Sequence, residues 1–197
     1  MRFLLNLVTD LGDSALLLPA SALLFAYLLY LRAASVARIW VMALALCALL
    51  TLLLKVAFYT CGMAVPVLAM RSPSGHTSLS TTFYGCAALM MTGDKERATQ
   101  VMVLAGGTFL ALAVALSRVL LHAHTMSEVA LGLTIGVLCV VWFGSAYLGR
   151  PPLSVPWRSA LLGVGLLLLI THGLHWNFEW MVARIAALLR SGISICA

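Results

Sequence analysis

The hydrophobic positions of this chain fall into six long runs that are separated by short polar segments. Each run is close to the length that a helix needs to cross a bilayer, roughly 20 residues at a rise of about 1.5 Å each. The pattern therefore predicts an all-α membrane protein built as a bundle of six transmembrane helices. The predicted spans cover residues 14–31, 39–59, 76–91, 101–121, 127–148 and 159–175.

The two ends of the chain differ from these six runs. Residues 1–13 are too short and too polar to span a membrane, and we expect a short interfacial helix there, with Asp13 or Ser14 as the N-cap of the first span. After the sixth span the apolar residues recur at helical spacing, while Arg184 and Arg190 lie on another face. This pattern predicts an interfacial amphipathic C-terminal helix on the membrane surface.

Composition supports an integral membrane protein and argues against several other classes. Of the 197 residues, 63% are hydrophobic and 9% are charged, whereas soluble domains carry about 25% charged residues. The formal charge of +6 comes from basic residues scattered at loop ends, a pattern that does not predict nucleic-acid binding. We expect one membrane-embedded domain over residues 1–197 with the lipid bilayer as its partner, and six spans suit a monomer or a dimer.

Two polar islands interrupt the apolar pattern, and polar groups near a bilayer core often mark function. The first is RSPSGHTS, which begins at Arg71. Here Ser74 can cap a helix, Gly75 leaves its backbone N–H open to an oxyanion, and His76 falls in the first turn. Arg71 adds a fork-shaped charge. The island predicts either a phosphate site at a helix N-terminus or a plain N-cap beside a chance histidine.

The second island is SRVLLHAHTMSE, from Ser117 to Glu128. His124 and Glu128 are four residues apart, so the carboxylate can accept the Nδ1–H of His124 and leave Nε2 as a nucleophile. Alternatively, Thr125 caps the fifth span and Glu128 completes a capping box. The two interpretations are compatible because a carboxylate has several acceptor sites. Arg118, in the same island, can hold an anion.

The histidine spacing leaves a zinc site as a competing interpretation. His76, His122, His124 and Glu128 are ligand types that zinc accepts. That interpretation leaves the arginines and the Ser–Gly pair unexplained, so we expect no metal, and we expect His122 to have no chemical role. The five cysteines show no metal-ligand spacing.

Together the islands resemble the type 2 phosphatidic acid phosphatase family, the lipid phosphate phosphatases, which share a superfamily with the vanadium haloperoxidases. The family pattern is KxxxxxxRP, then PSGH, then SRxxxxxHxxxD. This chain has PSGH at Pro73 to His76 and SRxxxxxH at Ser117 to His124, with Glu128 in place of the final Asp. The first motif departs from the pattern, because Gly62 rather than Arg stands seven residues after Lys55.

The resemblance implies an enzyme that hydrolyses a phosphomonoester or diphosphate of a membrane lipid without a metal or other cofactor. His124 is expected to attack phosphorus and form a phosphohistidine, His76 to act as general acid and base, and Glu128 to orient His124. Arg71 is expected to replace the missing arginine of the first motif. The residues expected to bind phosphate are Lys55, Arg71, Ser74, Gly75 and Arg118.

Two other functions stay open. An alcohol acceptor in place of water would make the chain a phosphotransferase, and a chain without the chemistry would be a lipid-binding or transport protein on the same fold. The candidate lipids are phosphatidic acid, phosphatidylglycerol phosphate, a polyprenyl diphosphate such as undecaprenyl diphosphate, and phosphorylated lipid A or sphingolipid. The sequence does not choose among them.

The distribution of basic residues predicts the orientation in the membrane. Six spans put both islands and both termini on one side and three hairpins on the other. The hairpin side carries six basic residues, Arg32, Arg38, Lys95, Arg97, Arg150 and Arg158. The island side also carries six, but three of these are the predicted ligands Lys55, Arg71 and Arg118. Without these three ligands, the hairpin side has more basic residues, which favours cytoplasmic hairpins. We therefore expect a bacterial inner-membrane protein with its active site on the periplasmic face. Cys61 and Cys196 could form a disulfide on that face.

Overall fold

The structure, a computed structural model, describes residues 2–61, 70–93, 95–150, 153, 157–173 and 178–192. Within these residues the chain is all α-helical, which confirms the predicted fold class. The hypothesised bridge between Cys61 and Cys196 lies outside the side chains that the structure describes. The helices of the described chain are α1 (Arg2–Asp10), α2 (Ser14–Tyr30), α3 (Ala34–Cys61), α4 (Gly75–Met91), α5 (Arg97–Leu120), α6 (Met126–Tyr147), α7 (Trp157–Thr171) and α8 (Phe178–Gly192).

Four stretches of the described chain are long and apolar enough to cross a membrane. They are Arg2–Tyr30, Ala34–Thr60, Arg97–Leu120 and Met126–Tyr147. The predicted helices at 76–91 and 159–175 are present as α4, with 17 residues, and α7, with 15. Because both are shorter than these four stretches, the predicted count of six spans is not confirmed.

Helix α4 lies at the centre of the bundle, in contact with α3, α5 and α6. Its residues Thr77, Ser80 and Thr82 are fully buried although their hydroxyls are polar. The helix satisfies such groups itself, because Thr81 donates to the main-chain oxygen of Thr77 at 2.7 Å and Thr82 donates to that of Ser78 at 2.9 Å. A helix rich in Ser and Thr can therefore form part of the core.

Two glycines bring α6 against the start of α4. A Cβ at Gly132 would lie 2.7 Å from the main-chain oxygen of Ser74, and one at Gly136 would lie 2.5 Å from the Cβ of Thr81. Glycines four residues apart allow such close helix packing in membrane proteins. Since Ser74 precedes α4 and Glu128 lies in the first turn of α6, this packing brings the two polar islands together.

The N-terminal helix packs against the bundle. Helix α1 contacts α5, and Thr9 and Asp10 at its end are buried. The predicted N-cap of the next helix is confirmed, because the main-chain N–H of Ala15 donates to Oδ1 of Asp13 at 2.8 Å. The turn between α1 and α2 is thereby held beside α5.

The predicted C-terminal helix is present as α8, which packs against α3. Val182 and Ala186 are buried, whereas Trp180, Met181 and Leu188 are exposed. The small buried residues allow α8 to lie close to α3. The exposed apolar face agrees with a helix at a membrane surface, and that location stays a prediction.

Candidate active site

The second island folds as the turn that starts α6. Thr125 is the N-cap: the main-chain N–H of Glu128 donates to its Oγ1 at 3.4 Å, and the N–H of Thr125 donates to Glu128 Oε2 at 3.1 Å. The predicted capping box is therefore confirmed. The same Oε2 lies 2.8 Å from Nδ1 of His124. One carboxylate thus caps the helix and contacts the histidine.

This contact holds His124 in one orientation. A carboxylate only accepts hydrogen bonds, so the proton of the neutral ring is assigned from the geometry to Nδ1, and Nε2 keeps its lone pair. Burial is the largest influence on the pKa of His124 and lowers it, and the charges of Lys55 and Arg118 lower it further. The hydrogen bond and charge of Glu128 raise this pKa. The net pKa lies below the ordinary value, so the neutral ring is favoured near neutral pH.

Glu128 also joins the second island to the first. Its Oε1 accepts the main-chain N–H groups of Arg71 at 2.7 Å and Ser72 at 3.2 Å. Its main-chain oxygen accepts the N–H of Ser74 at 3.1 Å. Because only 5% of the residue's surface is exposed, water competes little for these bonds. The loop before α4 therefore depends on a side chain of α6, a link that the sequence did not predict.

The first island folds as the N-terminus of α4, as its Ser–Gly pair predicts. Ser74 takes the N-cap position, but its hydroxyl is fully buried and accepts from Thr77 Oγ1 at 3.0 Å. A Cβ on Gly75 would meet Lys55 Cε at 3.7 Å, which places the lysine over the helix start. The first-turn N–H groups and the helix dipole add to the positive field there.

The three predicted cations are placed differently. Lys55, in the C-terminal part of α3, is 6% exposed. Arg118, in the last turn of α5, donates from Nη1 to Thr9 Oγ1 at 3.0 Å, and its buried Nε has no hydrogen-bond partner within the described chain. The Arg71 side chain is exposed, and the main chain of that residue makes the bond to the carboxylate of α6. Lys55 is thus buried, Arg118 is partly buried and Arg71 lies at the surface.

His76 lies in the first turn of α4 and faces the turn before α2. Its Nε2 is 3.3 Å from Oδ2 of Asp13. The other oxygen of Asp13, Oδ1, accepts the main-chain N–H of Ala15 and caps α2. The cap fixes the carboxylate, and its second oxygen contacts His76. The sequence favoured capping as the role of Asp13, and the contact with His76 adds a second role.

Glu179 is the site residue that sequence reasoning missed. It lies in the first turn of α8, where Oε1 pairs with Nζ of Lys55 and Oε2 accepts the hydroxyl of Tyr59 at 3.1 Å. Burial raises the pKa of Glu179, but the charge and hydrogen bond of Lys55 and the bond from Tyr59 outweigh burial, so the pKa lies below its usual value. The only signal in the sequence was a single acidic residue within the amphipathic tail.

A cavity of about 630 Å³ lies between α2, α3, α4 and α8, and Lys55, Gly75, His76 and Glu179 are among its lining residues. Serine and threonine hydroxyls also contribute to its polar lining, whereas His124, Glu128 and Arg118 are not part of it. The apolar side chains in its wall include Leu18, Phe25, Val41, Leu44, Leu52 and Met181. A few convergent polar groups beside a mostly apolar wall are typical of a ligand site.

The competing zinc interpretation named His76, His122, His124 and Glu128 as ligands. Among the residues that the structure describes, no group of three or more His, Cys, Asp or Glu residues could hold a metal ion. His122 is exposed in the turn before α6, where its backbone has a φ of 54°. The contact with Glu128 is made by His124, so the exposed His122 serves as a matched control for substitutions of His124.

Comparison with known proteins supports the resemblance that the islands suggested. Residues 57–150 match the model of the PAP2 superfamily; the segment contains both islands and excludes Lys55 and Glu179. A protein of Klebsiella pneumoniae described as an uncharacterized 22.5 kDa protein in the cps region is 30% identical over 132 residues. That match covers 66% of this chain and 63% of the relative, so the chain spans less than two thirds of the relative's length. No solved structure matches the chain.

Proposed function

Residues 57–150 match the model of the PAP2 superfamily, whose members are typically phosphatases, and from this similarity we propose that the chain is an integral membrane lipid phosphatase. It hydrolyses a phosphomonoester or diphosphate of a membrane lipid through a phosphohistidine at His124, without a metal. The observation that carries the proposal is the 2.8 Å contact between His124 and Glu128, with Lys55 and Arg118 beside it. It combines an oriented nucleophile with cations that can hold a phosphoryl group.

In the first step, Nε2 of His124 attacks phosphorus and the bond from phosphorus to the ester oxygen breaks. His76 gives a proton to that oxygen, and Glu128 stabilises the positive charge that develops on the attacking ring. Phosphoryl transfer depends mainly on positioning and on charge stabilisation. The groups that hold the phosphoryl oxygens are Lys55, Arg71, Ser74, the Gly75 amide and Arg118.

In the second step, water attacks the phosphorus of the phosphohistidine. His76, now neutral, takes a proton from this water, and the bond from phosphorus to Nε2 breaks. Phosphate leaves and His124 returns to its neutral form. The contact between His76 and Asp13 fits this role, because a carboxylate can hold the ring while its proton content changes.

The cavity supports a lipid as substrate. Its polar lining at Lys55 and Gly75 suits a phosphate, and its apolar wall between α2 and α3 suits a hydrocarbon tail. When the proposed phosphate ligands Lys55, Arg71 and Arg118 are set aside, the predicted hairpins carry more basic residues than the island side. This difference supports a bacterial inner-membrane protein with its site on the periplasmic face. The candidate substrates remain the lipids named above, and the test below ranks them.

The proposal is tested by measuring phosphate release from that panel of lipids by purified protein in the presence of EDTA. The matched variants are His124→Asn and His122→Asn, since Asn tolerates the positive φ at residue 122. We expect release that persists in EDTA, is lost in His124→Asn and is retained in His122→Asn.

Two outcomes would contradict the proposal. Release that EDTA abolishes would indicate a metal-dependent reaction. No release from any lipid, in protein shown to be folded by circular dichroism, would contradict hydrolysis and favour phosphotransfer or lipid binding.

A further inference from the structure

The candidate site contains an anion of its own. Lys55, which the proposed function assigns to the substrate's phosphate, is already paired with the carboxylate of Glu179. The side chain of Lys55 is 7% exposed and that of Glu179 is 48% exposed. The ammonium is therefore enclosed, whereas about half of the side chain that pairs with it is open to solvent.

The surroundings of Glu179 are those that a phosphoryl oxygen requires. Lys55 and the hydroxyl of Tyr59 donate to its two oxygens, and the positive form of His124 also favours its charged state. A carboxylate oxygen and a phosphoryl oxygen are both charged acceptors that take the same donors. Two such anions cannot both hold the ammonium of Lys55 without repelling each other.

We propose that Glu179 is an internal competitor of the substrate, whose carboxylate occupies the place of one phosphoryl oxygen at Lys55 and is displaced when substrate binds. The inference rests on the proposed function, because that function names phosphate as the ligand. Glu179 thereby sets the affinity of the site for phosphate. It acts on binding and takes no part in the bonds that are made and broken.

Helix α8 makes this displacement feasible. The half-exposed side chain of Glu179 can leave Lys55 by a change of rotamer while Val182 and Ala186 stay packed against α3. Met181 and Val182 of the same helix line the cavity. A lipid in the cavity therefore displaces the carboxylate with its phosphate and contacts α8 with its tail.

A supporting role for Glu179 predicts the opposite result. If the carboxylate only holds Lys55 in position for the substrate, its loss weakens phosphate binding. If the carboxylate competes, its loss strengthens phosphate binding. Glu179→Gln separates the two because it removes the charge and keeps the shape of the side chain.

The experiment measures the Kd of inorganic phosphate by titration calorimetry with purified, folded protein, and the KM for lipid substrate alongside. We expect Glu179→Gln to lower both about three- to tenfold, since the pair is partly exposed and its strength is intermediate between surface and buried pairs. The control Glu96→Gln changes an exposed carboxylate at the N-cap of α5 and should match the wild type.

An unchanged or higher Kd in Glu179→Gln would overturn the inference, as would failure of every form to bind phosphate. If Glu179→Gln does not fold, Glu179→Asp replaces it, because a carboxylate shortened by one methylene group holds Lys55 less closely and should also tighten binding. Because the experiment measures binding, its outcome is separate from that of the phosphatase assay. A wild-type protein that binds phosphate but hydrolyses no lipid would contradict the proposed phosphatase function. The change in the Kd of phosphate in Glu179→Gln would still decide the role of Glu179.

Discussion

Replacement of Glu128 by Gln perturbs the link between the two islands most directly. The carboxylate accepts from the main chain of Arg71 and Ser72 at Oε1, and it meets His124 and the N–H of Thr125 at Oε2. An amide of the same shape has one acceptor oxygen and one NH₂ donor. The NH₂ group of the amide must then face either the loop N–H groups of Arg71 and Ser72 or the partners at Oε2, His124 and the N–H of Thr125.

Either orientation of the amide is costly. If the NH₂ faces His124, the ring must present a lone pair at Nδ1, so its proton moves to Nε2 and the nucleophile is lost; the equivalent carboxylate-to-amide change in a serine protease lowers kcat about 10⁴-fold. If the NH₂ faces the loop, two N–H groups lose bonds to a charged acceptor, at about 1.5–3 kcal/mol each. The low exposure of Glu128 means that water does not replace these bonds.

We therefore expect Glu128→Gln to lower kcat about 10³- to 10⁴-fold if the NH₂ faces His124, or to lower the free energy of unfolding by about 3–6 kcal/mol if the NH₂ faces the loop. The assays are phosphate release at saturating lipid phosphate and unfolding in detergent followed by circular dichroism. Glu128→Asp is the matched variant, since it keeps the charge and shortens the reach, and about a tenfold loss of kcat is expected. A Glu128→Gln protein with a kcat within about tenfold of the wild type and an unchanged free energy of unfolding would contradict both expectations.

Three further predictions concern packing and charge. Gly132→Ala puts a Cβ 2.7 Å from the main-chain oxygen of Ser74 and should lower kcat about 10²-fold by shifting the two islands relative to each other. Gly106→Ala is the control, because nothing lies within 4 Å of a Cβ at that position. An equal loss of kcat in both variants would contradict this expectation. As the pH falls, kcat/KM should begin to decrease only below pH ~6.5, the ordinary pKa of histidine. The reason is that the pKa of His124 is lowered in the folded protein, so the neutral nucleophile persists to lower pH. A decrease that begins above pH ~6.5 would contradict this expectation. Arg118→Gln removes a positive charge that lowers the pKa of His124. The decrease of kcat/KM at acidic pH should therefore begin at a higher pH in this variant, and a shift to lower pH would contradict the effect of Arg118 on His124.

The helices could be predicted from the sequence where apolar runs and caps coincide. The fifth span was predicted at 127–148 and α6 covers Met126–Tyr147, because Thr125 and Glu128 mark its start locally. The second span was predicted at 39–59, whereas α3 covers Ala34–Cys61. Hydrophobicity marks the part of a helix that suits a membrane, and α3 continues beyond that part into the flanking loops.

The site shows the same division between local and distant contacts. The contact of His124 with Glu128 follows from their helical spacing, so the sequence could predict it. The pairing of Lys55 with Glu179 joins residues 124 positions apart, and the contact of His76 with Asp13 depends on how α2 packs beside α4. Such contacts follow from tertiary packing, which a single sequence does not reveal.

The proposed mechanism requires that the phosphoryl group passes through His124. This is tested by a rapid-quench reaction with a ³²P-labelled lipid phosphate, followed by alkaline work-up, which preserves phosphohistidine, and peptide mapping. We expect acid-labile label on the peptide that contains His124, retained in His122→Asn and absent from His124→Asn. Phosphate release without labelled protein, or label on another residue, would contradict it.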